Sequence, residues 1–162
     1  MLKSGSIFCS FWFFLGSFFS VFAQKQAPPT NFPQFKFYDL SGNAFTNNQI
    51  KAGLPMVVFY FDPDCDHCQL EAKMISSELN SFGQVNLLWV STAEEAAIKS
   101  FQQKFFAGAK TPVYFVRDKD YKFDGYFGYS VAPTILVFGK NGIFLKKFTN
   151  EIAPVEIRNL LK

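Results

Sequence analysis

Two cysteines three positions apart are the residues of this sequence whose types and spacing carry the most chemistry. Cys65 and Cys68 enclose the motif Cys65-Asp66-His67-Cys68, which follows Asp62-Pro63-Asp64. A cysteine reacts as its thiolate, so a setting that stabilises the thiolate makes the pair reactive. His67, the one histidine of the chain, can add to this because an imidazolium beside a thiolate stabilises it. The motif therefore predicts redox chemistry.

The segments on either side of the motif predict how the cysteines are held. Residues 57–61 are apolar, β-branched or aromatic, which is typical of a buried strand, and residues 62–64 have turn chemistry. After the motif, an apolar stripe at helical spacing predicts a helix that Gly83 ends. The stripe consists of Leu70, Met74, Ile75, Leu79 and Phe82. The cysteines would then lie at a helix N-terminus, where unpaired N–H groups and the helix dipole favour an anion. Three nearby aspartates oppose this effect, and we expect the dipole and His67 to prevail.

The first 23 residues have the pattern of a secretory signal peptide. A lysine near the start precedes an apolar stretch at 7–22, and Val21-Phe22-Ala23 forms a cleavage site. The apolar stretch is shorter than the roughly 20 residues that a membrane-spanning helix needs. We therefore expect cleavage and a periplasmic or secreted protein. An uncleaved membrane anchor is the alternative.

The rest of the chain predicts a linker and one domain. Residues 24–32 contain Pro28-Pro29 and predict an extended linker, and residues 33–162 have the length of a single domain. The net charge of +3 is too small and too scattered to indicate binding to nucleic acid or to an anionic membrane. Beyond the signal peptide only Cys65 and Cys68 remain, which excludes a disulfide-stapled scaffold. A disulfide that closes so short a loop adds little stability, so redox work better explains the pair.

Strands and helices alternate along this domain. Further strands are predicted at residues 35–40, 85–90, 112–116, 134–138 and 143–148. A second helix follows Ser91 and Thr92, which stand before Glu94 and Glu95 at the spacing of a capping box. Residues 117–130 predict a loop or short helix, and Pro154 begins a last helix. This order predicts an α/β fold with a mixed central sheet covered by helices.

These motifs together resemble the thioredoxin-fold superfamily. The resemblance lies in a CxxC motif after a buried strand and in Val131-Ala132-Pro133-Thr134, about 65 residues later. The leading segment FKFYDLSGNAF, the secretory start and the run Cys65-x-x-Cys68-Gln-Leu-Glu71 are similar to the TlpA/ResA-like group of extracytoplasmic thiol–disulfide oxidoreductases. The resemblance covers residues 33–161. It implies a thioredoxin-like fold with an N-terminal β extension.

The resemblance also implies a role for each matching residue. Cys65 matches the exposed attacking cysteine and Cys68 the buried resolving cysteine with which it forms the redox disulfide. Pro133 matches a cis-proline that faces this disulfide, and Ala132 offers its backbone to a substrate. Glu71 matches a partly buried glutamate that shuttles the proton of the resolving cysteine. A solvated helix acid is the alternative for Glu71.

Two departures from the group concern the direction of the reaction. Asp64 stands where an aromatic residue is usual, and His67 stands where a proline is usual. A histidine between the cysteines is similar to the oxidising members of the superfamily, where it stabilises the thiolate. CxxC proteins span reduction potentials from about −270 to −120 mV. The sequence therefore leaves open whether the protein is a reductant, an oxidant or an isomerase.

The resulting hypothesis is an enzyme that exchanges disulfides with exported proteins through Cys65 and Cys68. We expect a monomer that needs neither cofactor nor metal and that exchanges electrons with a membrane or periplasmic redox protein. One alternative is an extracytoplasmic carrier of copper or another metal, with Cys65, Cys68 and His67 as soft ligands. The small number of donors argues against a closed site of this kind. A second alternative is a thioredoxin-like binding module with an inert disulfide.

Overall fold

A seven-stranded mixed sheet forms the centre of the structure, a computed structural model that describes residues 26–162. The strands are β1 (Lys36–Tyr38), β2 (Ala44–Thr46), β3 (Met56–Tyr60), β4 (Asn86–Ser91), β5 (Val113–Arg117), β6 (Thr134–Phe138) and β7 (Phe144–Phe148). The helices are α1 (Asp66–Ser77), α2 (Glu95–Phe106), α3 (Phe123–Phe127) and α4 (Pro154–Leu160). Short 3₁₀ turns lie at Asn47–Gln49 and Leu79–Phe82. The predicted signal peptide lies outside the described residues.

The order of the strands is β2-β1-β5-β4-β3-β6-β7. β3, β4 and β5 are parallel, because α1 and α2 supply the long crossovers that parallel neighbours need. β6 pairs with β3 and β7 pairs with β6, both in antiparallel register, and the β1–β2 hairpin joins β5 through the pair Tyr38 and Arg117. The predicted thioredoxin-like α/β fold with an N-terminal β extension is confirmed.

Both faces of the sheet are buried. Val57 and Phe59 face a cluster that also contains Cys68, Ile75 and Ile157, which we call the cysteine-side core. The neighbours of these strand residues, such as Val58, face a second cluster around the aromatic rings of β1 and α3, which we call the far-side core. Strands covered on both faces have continuous apolar runs rather than alternation, as β3 does.

Aromatic rings fill both clusters. In the cysteine-side core the indole of Trp89 stacks on Phe59, with ring centroids 4.1 Å apart, and on Phe115 at 5.8 Å. In the far-side core the ring of Phe37 stacks on Phe123 and Phe127, each at 6.4 Å. Each of these rings buries a large apolar area, and aromatic pairs in such geometry contribute beyond that area.

The helix after the motif differs from its prediction in two respects. Its buried residues are Cys68, Glu71, Ala72 and Ile75, whereas Leu70 is 46% exposed. The buried stripe is therefore rotated from the predicted one and includes a glutamate. The helix also ends at Ser77, and a separate 3₁₀ turn follows before Gly83.

The described part of the predicted linker, residues 26–32, lies along the domain and is held there by backbone hydrogen bonds. The backbone oxygen of Gln26 accepts a hydrogen bond from the N–H of Tyr129 at 2.9 Å. The oxygen of Thr30 accepts from the N–H of Phe144 at 2.9 Å, and the N–H of Phe32 donates to Gly142 at 2.7 Å. These last contacts place the segment at the outer edge of β7. None of the helices between residues 26 and 162 has the length and hydrophobicity to cross a membrane.

Candidate active site

The end of β3 and a tight turn position the two cysteines. The N–H of Phe61 continues the pairing with β4 by donating to the oxygen of Val90 at 3.0 Å. The Asp62 carboxylate then accepts from the N–H of Asp64 at 2.9 Å, and the oxygen of Asp62 accepts from the N–H of Cys65 at 3.2 Å. Cys65 is the N-cap residue of α1, so its thiol lies beside the unpaired N–H groups of the first helical turn.

The two thiols differ in accessibility. Cys65 is half-buried, Cys68 is completely buried, and both are free thiols in hydrogen-bond contact with each other. Burial raises the pKa of the Cys68 thiol to about 12, although a hydrogen bond with the backbone of Asp62 lowers it in part. The contact with Cys65 raises it further. Cys68 is therefore protonated at neutral pH, and other molecules have access to Cys65 alone.

Glu71 lies one turn after Cys68 on the buried side of α1 and is 1% exposed. Its Oε2 accepts a hydrogen bond from the backbone N–H of Ile152 at 2.8 Å, and its Oε1 has no partner. Burial raises the pKa of the carboxyl to about 7. The bond from Ile152 acts in the opposite direction, and the nearby Glu151 carboxylate adds to the increase. This carboxyl can therefore gain or lose a proton near neutral pH.

His67 lies on the exposed side of the motif. Its Nδ1 is 3.1 Å from each carboxylate oxygen of Glu151, and the two side chains are 67% and 30% exposed. A backbone hydrogen bond within Glu151 lowers the pKa of this carboxyl, and the bond to His67 lowers it further. The observed partner of His67 is thus a carboxylate from a distant part of the chain.

Ala132 and Pro133 lie directly before β6, at the end of the sheet from which the cysteine motif leaves β3. Thr134 pairs with Tyr60 in antiparallel register, so the residue before Thr134 and the residue after Tyr60 leave the sheet at the same end of the strands. The peptide bond between Ala132 and Pro133 is cis. The side chains of Ala132 and Cys65 both pack against the cysteine-side core.

The metal-carrier alternative requires Cys65, Cys68 and His67 to bind one metal ion together. Within residues 26–162, no three histidine, cysteine or acidic side chains are grouped so that they could hold a metal ion. The Nδ1 of His67 is instead bonded to Glu151. The donor set proposed from the sequence therefore does not converge on one point in this structure.

The structure brings most of the predicted site residues to one end of the sheet. Cys65, Cys68 and Glu71 lie in the first two turns of α1, and the Ala132–Pro133 bond lies at the same end of the sheet. Sequence reasoning missed Glu151 and Ile152, which contact His67 and Glu71 from the loop after β7. Ile152 contributes a backbone N–H, which no residue type identifies.

Comparison with solved structures gives several relatives of the same fold. One is a secreted Mycobacterium tuberculosis disulfide oxidoreductase homologous to E. coli DsbE: identity is 22%, the TM-score is 0.64, and the match covers 78% of this chain and 93% of that one. A second is dsbF of MTB, with 22% identity, a TM-score of 0.66 and coverage of 83% and 96%. StoA from Bacillus subtilis has 14% identity, a TM-score of 0.61 and coverage of 82% and 98%. At these identities the likeness shows a shared thioredoxin-like fold.

Among curated proteins no sequence matches significantly. The sequence model of one family does match, and it covers residues 28–146, which is most of the chain and includes the cysteine motif and the cis-proline bond. The chain therefore belongs to the AhpC/TSA family.

Proposed function

We propose that the protein is a thiol–disulfide oxidoreductase that exchanges disulfides with exported proteins through Cys65 and Cys68. The observation that carries this proposal is the arrangement of the two thiols at the start of α1. Cys65 is accessible, and Cys68 is sealed behind it and in contact with it. An accessible thiol can attack a partner protein, whereas a sealed one reacts only with its neighbour.

The exchange proceeds in two balanced steps. The Cys65 thiolate attacks one sulfur of a partner disulfide, and the other partner sulfur leaves as a thiolate, which gives a mixed disulfide. Cys68 then loses its proton and attacks the Cys65 sulfur, which releases the second partner thiolate. The partner gains two electrons, and the protein is left with a Cys65–Cys68 disulfide. The reverse sequence oxidises a partner dithiol.

Glu71 serves the second step as a base. The Cys68 thiol, with a pKa of about 12, does not lose its proton readily at neutral pH. Glu71 lies three residues later on the same buried face, has a pKa of about 7, and has a carboxylate oxygen without a partner. A base with a pKa near the working pH is suited to this transfer. Ionised Glu71 takes the proton as Cys68 attacks.

The remaining assignments concern the partner and the compartment. Ala132, which lies just before β6 near the cysteine motif, offers its backbone to an extended segment of the partner protein. The signal-peptide pattern of residues 1–23 supports a periplasmic or secreted location, and one structural relative is described as secreted. Electrons are supplied or removed by a membrane or periplasmic redox protein.

The first prediction tests this function with cysteine variants. In a Cys9→Ser background, Cys68→Ser should accumulate a mixed disulfide with oxidised glutathione, because no second thiol resolves it. Cys65→Ser should form little or none, since Cys68 is buried. Mass spectrometry of the acid-quenched protein measures both adducts.

The Cys9→Ser protein with both motif cysteines intact is the control. It should exchange with oxidised glutathione without retaining an adduct. An intact pair that exchanges with neither glutathione nor dithiothreitol would exclude the proposed function. If that inactive protein binds Cu(I) in a competition titration, the metal-carrier alternative is the better one.

A further inference from the structure

The loop between β7 and α4, residues 149–153, contacts two polar side chains near the cysteines, His67 and Glu71. The Glu151 carboxylate bonds the Nδ1 of His67 at 3.1 Å, and the N–H of Ile152 bonds Glu71 at 2.8 Å. Two consecutive residues of this loop thus reach one group between the cysteines and one group after them. No other described side chain forms an ion pair with His67.

The contact with Glu151 matters because a protonated His67 can stabilise either of two anions. One is the thiolate that Cys65, two residues before it at the N-cap of α1, forms when it ionises, and the other is the Glu151 carboxylate. Coulomb attraction falls with distance, and the carboxylate already lies in direct contact with the ring. While a protonated His67 is held there, its charge is largely compensated and stabilises the Cys65 thiolate less.

We propose that Glu151 sets the redox equilibrium of the Cys65–Cys68 pair by holding His67 as a competing counter-ion of the Cys65 thiolate. This inference rests on the proposed function. The reduced protein has a Cys65 thiol that can ionise, and the disulfide form has none. Whatever stabilises the thiolate therefore favours the reduced form and makes the disulfide a stronger oxidant. Glu151 acts in the opposite direction and makes the disulfide a weaker oxidant.

The other described charges near the motif do not take the place of Glu151 as the partner of His67. Asp62, Asp64 and Asp66 are exposed acids that disfavour the thiolate with or without Glu151. The ammonium group of Lys104 donates to the Oε1 of Gln69 at 2.8 Å. Glu151 is thus a positioning residue that acts on Cys65 through His67.

The second prediction is measured with glutathione. Two glutathione molecules give two electrons and two protons to the Cys65–Cys68 disulfide and leave as one glutathione disulfide. In the Cys9→Ser chain, Glu151→Gln should raise the equilibrium constant of this reduction about two- to fivefold, the range expected for loss of one exposed ion pair. Glu156→Gln is the matched control, because it removes the same charge from an exposed position on α4 and should leave the constant unchanged.

A double-mutant cycle separates action through His67 from a direct effect of the charge. In a His67→Ala chain, Glu151→Gln should retain less than half of its effect. Glu151 also raises the pKa of Glu71, and this contribution is the same in both backgrounds. It therefore cancels in the difference between the two effects of Glu151→Gln. Since His67 is the only histidine, its ring signals in the NMR spectrum should also shift in Glu151→Gln.

Two results would overturn the inference. One is an unchanged or lower equilibrium constant for Glu151→Gln. The other is an increase of which half or more persists in the His67→Ala chain, which would mean a direct effect of the carboxylate. A wild-type chain that fails to exchange with glutathione would instead reject the proposed function, so the two failures are distinguishable.

Discussion

Glu71 occupies a position on α1 that an apolar residue would ordinarily fill. Its side chain lies on the same face as Cys68, Ala72 and Ile75, while Leu70 beside it is exposed. Burying an ionised carboxylate is costly, and one bond from Ile152 compensates only one of its two oxygens. The neutral form is therefore favoured, and the pKa rises to about 7.

The third prediction follows from that shift. Between pH 4.5 and 7 the folded protein holds a proton on Glu71 that the unfolded chain has lost, so stability is full below pH 4.5 and falls as the pH rises to 7. The loss should approach about 3 kcal/mol, since one pKa unit corresponds to about 1.4 kcal/mol. Glu71→Gln should lack this decrease. Urea unfolding of both reduced proteins at pH 5 and pH 8 measures the difference, and parallel changes in the two proteins would contradict it.

At the residue scale, the sequence predicts local chemistry better than distant contacts. The placement of Cys65 and Cys68 at the start of a helix could be predicted because strand, turn and motif are adjacent. The partner of His67 could not be predicted, because Glu151 is 84 residues away and lies in a loop without a pattern of its own. The hydrogen bond from Ile152 to Glu71 uses a backbone N–H, so the type of residue at position 152 does not predict it.

At the scale of elements, two helix boundaries depend on contacts that the sequence does not reveal. The hydroxyls of Ser76 and Ser77 donate to the oxygens of Lys73 and Met74, which offers the backbone an alternative to helical bonds where α1 ends. The predicted capping box at α2 is wrong. Glu94 itself is the N-cap residue, without a side-chain cap bond.

The carboxylates of that predicted capping box have a tertiary partner instead. Glu94 and Glu95 both form ion pairs with Arg117 at the end of β5, the pair with Glu95 at 2.7 Å. Ser91 uses its hydroxyl oxygen to accept from the N–H of Ala93 at 3.1 Å. A residue at the end of a neighbouring strand thus binds both carboxylates, and a local sequence pattern does not include that contact.

The fourth prediction concerns the glycine that ends α3. A Cβ on Gly128 would lie 2.6 Å from the backbone of Ala27, and its φ of +81° with ψ of 158° is a conformation that other residues rarely adopt. Gly128→Ala should therefore lower the free energy of unfolding by roughly 1–3 kcal/mol and displace residues 26–28. Urea unfolding measures the loss.

Gly125→Ala is the matched control for this substitution. Gly125 lies inside α3, and a Cβ there would meet no atom within 4 Å. Since alanine is favoured over glycine in a helix, this variant should be as stable as the wild type or more stable. Equal losses in the two variants would show that the close approach to Ala27 is not the cause.

At the scale of the whole molecule, one sheet supports both cores. Leu87 and Leu88 are adjacent on β4, and both are completely buried, the first in the cysteine-side core and the second in the far-side core. The alternation of strands and helices predicted this layered arrangement. It did not predict that residues 30–32 bond to the edge of β7, because those contacts use backbone groups, which no residue type identifies.

The fifth prediction tests whether the two cores unfold together. Leu87→Ala and Leu88→Ala should each cost about 2–5 kcal/mol and shift the urea midpoint of Cys68 labelling as much as that of circular dichroism. Labelling is measured in a chain whose other cysteines are serine. Leu145→Ala, at a 39% exposed position on β7, should change little. If the urea midpoints of Cys68 labelling and circular dichroism differed in Leu88→Ala, the far-side core would unfold independently of the cysteine-side core.

The edge of β7 bears on how the proposed exchange with exported proteins would avoid aggregation. Outer strands are templates on which other chains aggregate, and covering them or placing lysine on them prevents this. Here residues 30–32 cover the beginning of β7, and Lys146 is exposed farther along the strand. Under the proposed function, a partner chain with unpaired strands would meet this partly covered and charged edge while the mixed disulfide holds it, which disfavours fibre formation between the two chains.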